Sequence, residues 1–332
     1  MDHHHVLFWS NFLYLTGAMS SLIQVEQLYR YYGDQCAVNN VSFNLEKGEI
    51  LGFLGPNGAG KSTTMQMICG NLAPSSGQIL INGIDMLDQP KDAKRELGYL
   101  PEIPPVYREL TVDEYLTYCG KLHRIPRDRL SKTVGNAKER CGLSEVGARL
   151  IGNLSKGYQQ RVGIAQAILH TPAVIILDEP TVGLDPIQIR EIRELIRELG
   201  QEHGIILSTH ILPEVQESCT QVQIIHQGQL VLNDSIAGLE QQMRASSLML
   251  ATRQQPELAA LHGLDGVQSI SDLGGNRFRI FHDKDKNPAE RIADTTISSG
   301  WGLLELTPER RTMEQIFIDI TQHSPPGQEV PA

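Results

Sequence analysis

From Leu22 to about Asn233 the hydrophobic pattern predicts strands and helices in alternation. In "VSFNLEKGEILGFLG" it predicts a strand, a turn at Lys47 and Gly48, and a second strand running into a glycine-rich loop. A hairpin is expected around Gly77, in "GQILINGIDM". Between roughly Pro90 and Gly163 the apolar spacing turns mostly helical, which reads as a helical subdomain (about 90–163) inserted into the sheet domain. "AVIILDEP", residues 173–180, is a continuous apolar run ending in two carboxylates, the pattern of a buried parallel strand. "PIQIREIRELIRELG" then sets Ile189, Ile192, Ile196 and Leu199 on one helical face, and "GIILSTH" is a second buried strand.

After Asp234 the pattern changes to strand "SLMLAT", helix "PELAALHG", strands "VQSIS" and "RFRIF", helix "NPAERIADTTISS" and strand "GLLEL". That order, βαββαβ, is the split βαβ or ferredoxin-like arrangement of a small α+β domain. A last helix is announced by a capping box between Thr312 and Gln315, with Met313, Ile316, Phe317 and Ile320 sharing one face. The expected organisation is an N-terminal extension (1–20), an α/β domain (21–233), an accessory domain (234–322) and a mobile tail (323–332).

Composition narrows the function. The net charge of -10, with 39 acidic against 29 basic side chains and no long basic run, argues against nucleic acid as the main partner. The five cysteines are scattered, odd in number and without a CxxC pair, so a disulfide framework or zinc site is not expected and a reducing compartment fits. No apolar stretch reaches the ~20 residues of a membrane-spanning helix. The aromatic-rich first eighteen residues, "MDHHHVLFWSNFLYLTGA", carry His but no Lys or Arg before their apolar part, unlike a secretory signal. They read as an upstream extension, with a membrane-touching anchor as the competing reading.

"GPNGAGKST" spans Gly55, Pro56, Asn57, Gly58, Ala59, Gly60, Lys61, Ser62 and Thr63, and fits G-x-x-x-x-G-K-[ST] between a strand and a helix. Its glycines let successive N–H groups face a phosphate, and the helix start adds positive potential. Lys61 is expected on the β- and γ-phosphates and Ser62 on Mg²⁺. Asp178 supplies the matching acid for the metal, which leaves Glu179 free to orient or deprotonate a water. His210, ending the second buried strand, is placed to contact the γ-phosphate or that water. "LSKGYQQR" adds a second helix start of phosphate-reading type, with Ser155 as N-cap and Gly157 allowing close backbone approach. One chain folds around one nucleotide, so a second reader implies a two-fold dimer in which each loop closes over the other subunit's ATP.

These motifs, in this order over residues 22–233, resemble the nucleotide-binding subunit of an ATP-binding cassette (ABC) transporter. The resemblance implies a P-loop NTPase fold of ABC type, with residues 55–63 as Walker A, 154–159 (Ser155, Gly157 and Gln159 among them) as signature, 174–179 as Walker B and His210 as switch histidine. It further implies Asp185, in "GLD", as the D-loop acid, and Tyr32, with Tyr31 and Tyr29 close by, as the ring that stacks on adenine. Glu102, in "GYLPE", stands where the family usually offers Gln to the magnesium and the membrane subunit. "LSKGYQQR", "GYLPE", "STHILPEV" and the terminal "WGLLELTPERRTMEQIFIDIT" look most like the ATPases of bacterial exporters and gliding-motility transporters. The implied cofactors are ATP and Mg²⁺. The implied partners are a second copy and a separate integral membrane permease at the cytoplasmic face of the inner membrane. A soluble ABC ATPase of DNA repair or translation is the rival class. Such proteins usually carry two cassettes, a long coiled coil or zinc-binding insertions, and this chain shows one cassette, no heptads and a negative charge balance.

Overall fold

The computed structural model describes residues 21–242, 247–283, 286–309 and 312–323. The expected N-terminal extension and all but the first residue of the expected tail lie outside them, as does the Ile320 side chain. The chain divides into two compact units, one ending at Asp234 and one beginning at Ser235.

In the first unit, β1 (Ile23–Tyr32) and β2 (Gln35–Leu45) form an antiparallel pair, and β3 (Ile50–Leu54) leads into α1 (Lys61–Ile68). There follow β4 (Ser76–Ile81), β5 (Ile84–Asp85), the short α2 (Pro90–Ala93), β6 (Leu97–Leu100), α3 (Val112–Leu122), α4 (Arg127–Arg140) and α5 (Lys156–Ile168). Then come β7 (Val174–Asp178), α6 (Pro186–Leu199), β8 (Gly204–Thr209), α7 (Leu212–Ser218), β9 (Gln221–His226) and β10 (Gln229–Ser235).

Two sheets organise these elements. A four-stranded antiparallel sheet has the order β2-β1-β4-β5, and a six-stranded sheet has the order β10-β9-β3-β8-β7-β6. β3 pairs in parallel with both β8 and β9, and β7 with both β8 and β6. Every residue of β3, β7 and β8 is buried, as continuous apolar runs require. The main core lies around α1: Met65, Met67 and Ile68 pack with Ile23, Leu28, Val41 and Phe53. On α6, Ile192, Leu195, Ile196 and Leu199 are buried, while Ile189 is half-buried.

Two expectations are corrected. The hairpin turns at Asn82 and Gly83, both in the left-handed region at φ 49° and 79°, whereas Gly77 sits inside β4. The stretch read as a helical subdomain contains β6, the edge strand of the six-stranded sheet, because "LGYL" is short and its Gly98 lets α5 pass close by. The helices α3, α4 and α5 follow it.

The second unit holds α8 (Ile236–Gln242), β11 (Ser247–Thr252), α9 (Leu258–His262), β12 (Val267–Gly274), β13 (Arg277–His282), α10 (Ala289–Ser298), β14 (Leu303–Glu309) and α11 (Met313–His323). The sheet order β12-β13-β11-β14, antiparallel throughout, is the ferredoxin-like order expected from the sequence. Leu248, Leu250, Leu261, Phe278, Ile280 and Ile292 form its own core. Thr312 and Gln315 make the expected capping box at the start of α11.

Candidate functional site

β3 is central in its sheet, and the chain leaves its end as residues 55–60 before α1 begins. Gly60 caps α1 at φ 105°, and a Cβ there would stand 2.6 Å from the Ala37 carbonyl, so neither the conformation nor the space admits a side chain. The first-turn amides of α1 have no intrahelical acceptor and carry the positive end of the helix dipole. Lys61 folds back over the loop, donating to Gly55 O at 2.7 Å and Pro56 O at 3.3 Å. Burial holds its pKa below the usual lysine value, while Glu179, Asp178 and Glu102 push it back up.

β7 ends at Asp178, and Glu179 follows in a left-handed backbone conformation (φ 48°) with its amide donating to Ser208 O at 2.8 Å. For a residue with a Cβ this conformation costs on the order of 1 kcal/mol and persists only where neighbours enforce it. The Glu179 carboxylate lies 3.9 Å from Lys61 Nζ and 2.9 Å from His210 Nδ1. With Glu179 ionised, Nδ1 of His210 is the donor. Thus Glu179 and His210, read separately in the sequence, form one hydrogen-bonded pair.

These groups open on a cavity of about 660 Å³ lined by Asn57, Gly58, Gly60, Lys61, Ser62, Thr63, Glu102, Glu179 and His210. Asp178 is buried beside Lys61 but is not part of the lining. Burial first, and the nearby Glu102 as well, hold the Asp178 carboxyl above the ordinary aspartate pKa. Asp178 Oδ1 and Glu179 Oε2 are buried oxygens without a hydrogen-bond partner. Among the described residues no cluster of three metal-ligating side chains occurs. A magnesium ion does not require one, because it keeps several waters and takes substrate phosphates besides one or two protein oxygens. Ser62 in the lining and Asp178 beside it fit that donor set, and Glu102 adds a carboxylate on the same wall.

Other expected residues lie elsewhere. Tyr32 is exposed (47%), carries the Arg30 guanidinium 4.8 Å above its ring and does not line the cavity; Tyr31 is equally exposed and stacks on Tyr29. Asp185 caps α6, its carboxylate accepting from the amides of Ile187 and Gln188, each at 3.0 Å. Ser155 caps α5, accepting the Tyr158 amide at 3.4 Å, and is exposed. Gly157 is buried against Gln188, and Gln159 donates to Leu154 O at 2.9 Å. None of these signature residues lines the cavity of their own chain.

Sequence reading missed Gln35, Cys36, Ala37, Val182, Gln227 and Gly228, which complete the lining. Gly228 donates to Ala59 O at 2.9 Å and accepts from the Asn39 amide at 2.8 Å, so the β9–β10 turn braces both the phosphate loop and β2. The pair Gln227–Gly228 is a turn signal, but nothing in it tells which loop the turn meets.

The ABC transporter family model matches residues 38–182. An uncharacterised ABC transporter ATP-binding protein of Bacillus subtilis, YxlF, is 37% identical over 90% of this chain and 99% of its own length. The bacitracin transport ATP-binding protein BcrA of Bacillus licheniformis is 41% identical over 64% of this chain and 69% of its own. A solved ATP-binding subunit of an ABC transporter superposes with a TM-score of 0.61 at 33% identity, covering 67% of this chain and 93% of that one.

Proposed function

The chain belongs to the ATP-binding, ATP-hydrolysing subunits of ABC transporters, and we propose that two copies bind two ATP at their interface and drive a separate membrane permease, for export. The observation that carries this reading is the split between phosphate-reading groups. Asn57, Gly58 and residues 60–63 line the cavity together with Glu179 and His210, while the second helix start, at Ser155 and Gly157, lies outside it. With Ser155 exposed and the N-terminal turn of α5 outside its own chain's cavity, that turn is suited to a partner's nucleotide.

In the closed pair, the α1 amides and Lys61 hold the triphosphate, and Ser155 and Gly157 of the second copy meet it from the other side. Ser62 and Asp178, with Glu102 beside them, would hold Mg²⁺, which supplies charge neutralisation on the phosphate oxygens when bound. Glu179, held by His210 through one oxygen, orients or deprotonates the water that attacks the γ-phosphate. Loss of that phosphate removes the anion bridging the copies, and the pair opens. Among the described residues no helix is long and apolar enough to cross a membrane, so the permease of this reading is another chain. Tyr32 keeps the role the family resemblance implies, on the adenine, and Asp185 that of the D-loop acid. Export from the cytoplasmic side belongs to this proposal, and the relative named as a bacitracin transport protein supports its transport part.

Glu179→Gln tests the reading. General-base loss is worth roughly 10²–10⁴-fold in turnover, and the variant is expected to elute as an ATP-dependent dimer that does not decay. Adding Ser155→Arg is expected to abolish that dimer while leaving monomeric ATP binding intact. Normal turnover in Glu179→Gln, or a dimer indifferent to Ser155→Arg, overturns it.

A further inference from the structure

A buried carboxylate outside the cavity ties together the two segments that carry Glu179 and His210. Glu214, in α7, is only 1% exposed. Burial of a carboxylate demands that its oxygens be satisfied, and here two hydroxyls do it. Thr181 Oγ1 donates to Oε1, and Thr209 Oγ1 donates to Oε2 at 2.7 Å. Both threonines are buried, and Thr209 also accepts the Ile211 amide at 3.1 Å.

The positions of these threonines give the contact its meaning. Thr181 lies two residues beyond Glu179, and Thr209 immediately precedes His210. A second tie, from the Glu179 amide to Ser208 O, also runs to the last residues of β8. Glu179, with its left-handed backbone, is therefore anchored on both sides to the strand that presents His210. Neither anchor depends on the 2.9 Å contact between Glu179 and His210 themselves. Resting on the reading of Glu179 as the residue that aims the water, we propose that Glu214 is a positioning residue for ATP hydrolysis. By holding Thr181 and Thr209 at once, it fixes the Glu179 carboxylate relative to His210 and the phosphate loop.

The chemistry predicts a graded series. Each threonine has one hydroxyl proton and donates it here, so the site wants two acceptors, which a carboxylate alone supplies. Gln keeps one acceptor and obliges one hydroxyl to turn round. Ala removes both ties. Misplacement of a catalytic group by about 1 Å costs around 10²-fold in rate, so in the full-length chain Glu214→Ala is expected to lower kcat by roughly that factor. Because the phosphate loop is untouched, KM and the affinity for a fluorescent ATP analogue are expected to stay within about twofold. Glu214→Gln is expected to recover about a tenfold share of the loss. In Glu214→Ala, amides of residues 179–185 are expected to exchange faster with deuterium, with those of residues 57–65 unchanged.

Should Glu214→Ala fail to fold, Thr181→Val with Thr209→Val keeps the buried volume and tests the same ties, with the same expected kcat loss. Wild-type kcat in these variants, an equal loss of kcat and nucleotide affinity, or unchanged exchange at residues 179–185 overturns the proposal. Glu179→Gln is measured alongside: if it turns over normally the parent reading fails, and if it alone is inactive only the role of Glu214 fails.

Discussion

His170 shows how burial rewrites a side chain in this protein. Its ring stacks on His123 with centroids 3.9 Å apart, and Nε2 lies 3.0 Å from Leu97 O. Nδ1 is buried with no partner, the state of a neutral imidazole that donates only through Nε2. Burial, with the neighbouring His123 ring adding to it, lowers the pKa from 6.5 to about 4. The unfolded chain therefore takes up a proton that the folded chain refuses between those values. Stability from this group is complete above pH 6.5 and is lost as the pH falls toward 4, at about 1.4 kcal/mol per pH unit at most. His170→Gln removes that titration, so urea midpoints of the variant are expected to fall less steeply over this interval than wild type. Parallel curves would show that His170 does not titrate this way. Such a shift is invisible in the sequence, where His170 is one histidine beside "TPAVIILDEP". The same holds for the left-handed backbone of Glu179. The residue type was legible from its place after Asp178, while the conformation is set by Ser208 O, nearly thirty positions away. Residues 55–63 were legible because a local motif, a strand end and a helix start need no distant partner to be read. The turn at Gln227 and Gly228 was not, because only tertiary structure brings it to Ala59.

At the scale of elements, strands buried on both faces were the easiest to read, since β7 and β8 are unbroken apolar runs. Strand β6 was hidden among helices because four residues carry no period and one of them is glycine. The structure explains that glycine. A Cβ on Gly98 would come 2.2 Å from the carbonyl oxygen of Ala167, backbone of α5 that no rotamer change can move. The close approach seats α5, whose first turn carries Ser155 and Gly157, against the sheet edge. Gly98→Ala is expected to push α5 away, at a cost of about 1–3 kcal/mol, the usual range for overpacking. Denaturant unfolding measures that cost. ATP-dependent dimerisation should weaken more than monomeric nucleotide binding, because the phosphate loop belongs to β3 and α1. Unaltered stability would mean that β6 and α5 are not held this closely in solution. The ion pairs of Arg140 with Glu198 and of Arg161 with Glu191 also join α4 and α5 to α6, and Arg140 pairs in addition with Glu202 in the turn after α6. Partly exposed as they are, each is worth under about 1 kcal/mol, so backbone packing at Gly98 is the larger determinant.

For the whole molecule, the decisive fact is that each unit has its own core. The cavity lined by Lys61, Glu179 and His210 lies entirely in the unit ending at Asp234, while the second unit buries Leu248, Leu250, Phe278, Ile280 and Ile292 around its own antiparallel sheet. A ligand stabilises only the cooperative unit that binds it, by about 2.7 kcal/mol when its concentration is a hundred times Kd. In a domain of some two hundred residues, each kcal/mol moves the midpoint by roughly 2–4 °C. Calorimetry of the full chain is therefore expected to resolve two transitions, with Mg²⁺–ATP at such saturation raising one by roughly 5–10 °C and leaving the other in place. The chain truncated after Asp234 should show the ATP-sensitive transition alone, with nucleotide affinity unchanged. A single transition that ATP shifts as a whole would instead mean that the two cores unfold together, and would make the second unit part of the machinery that senses nucleotide.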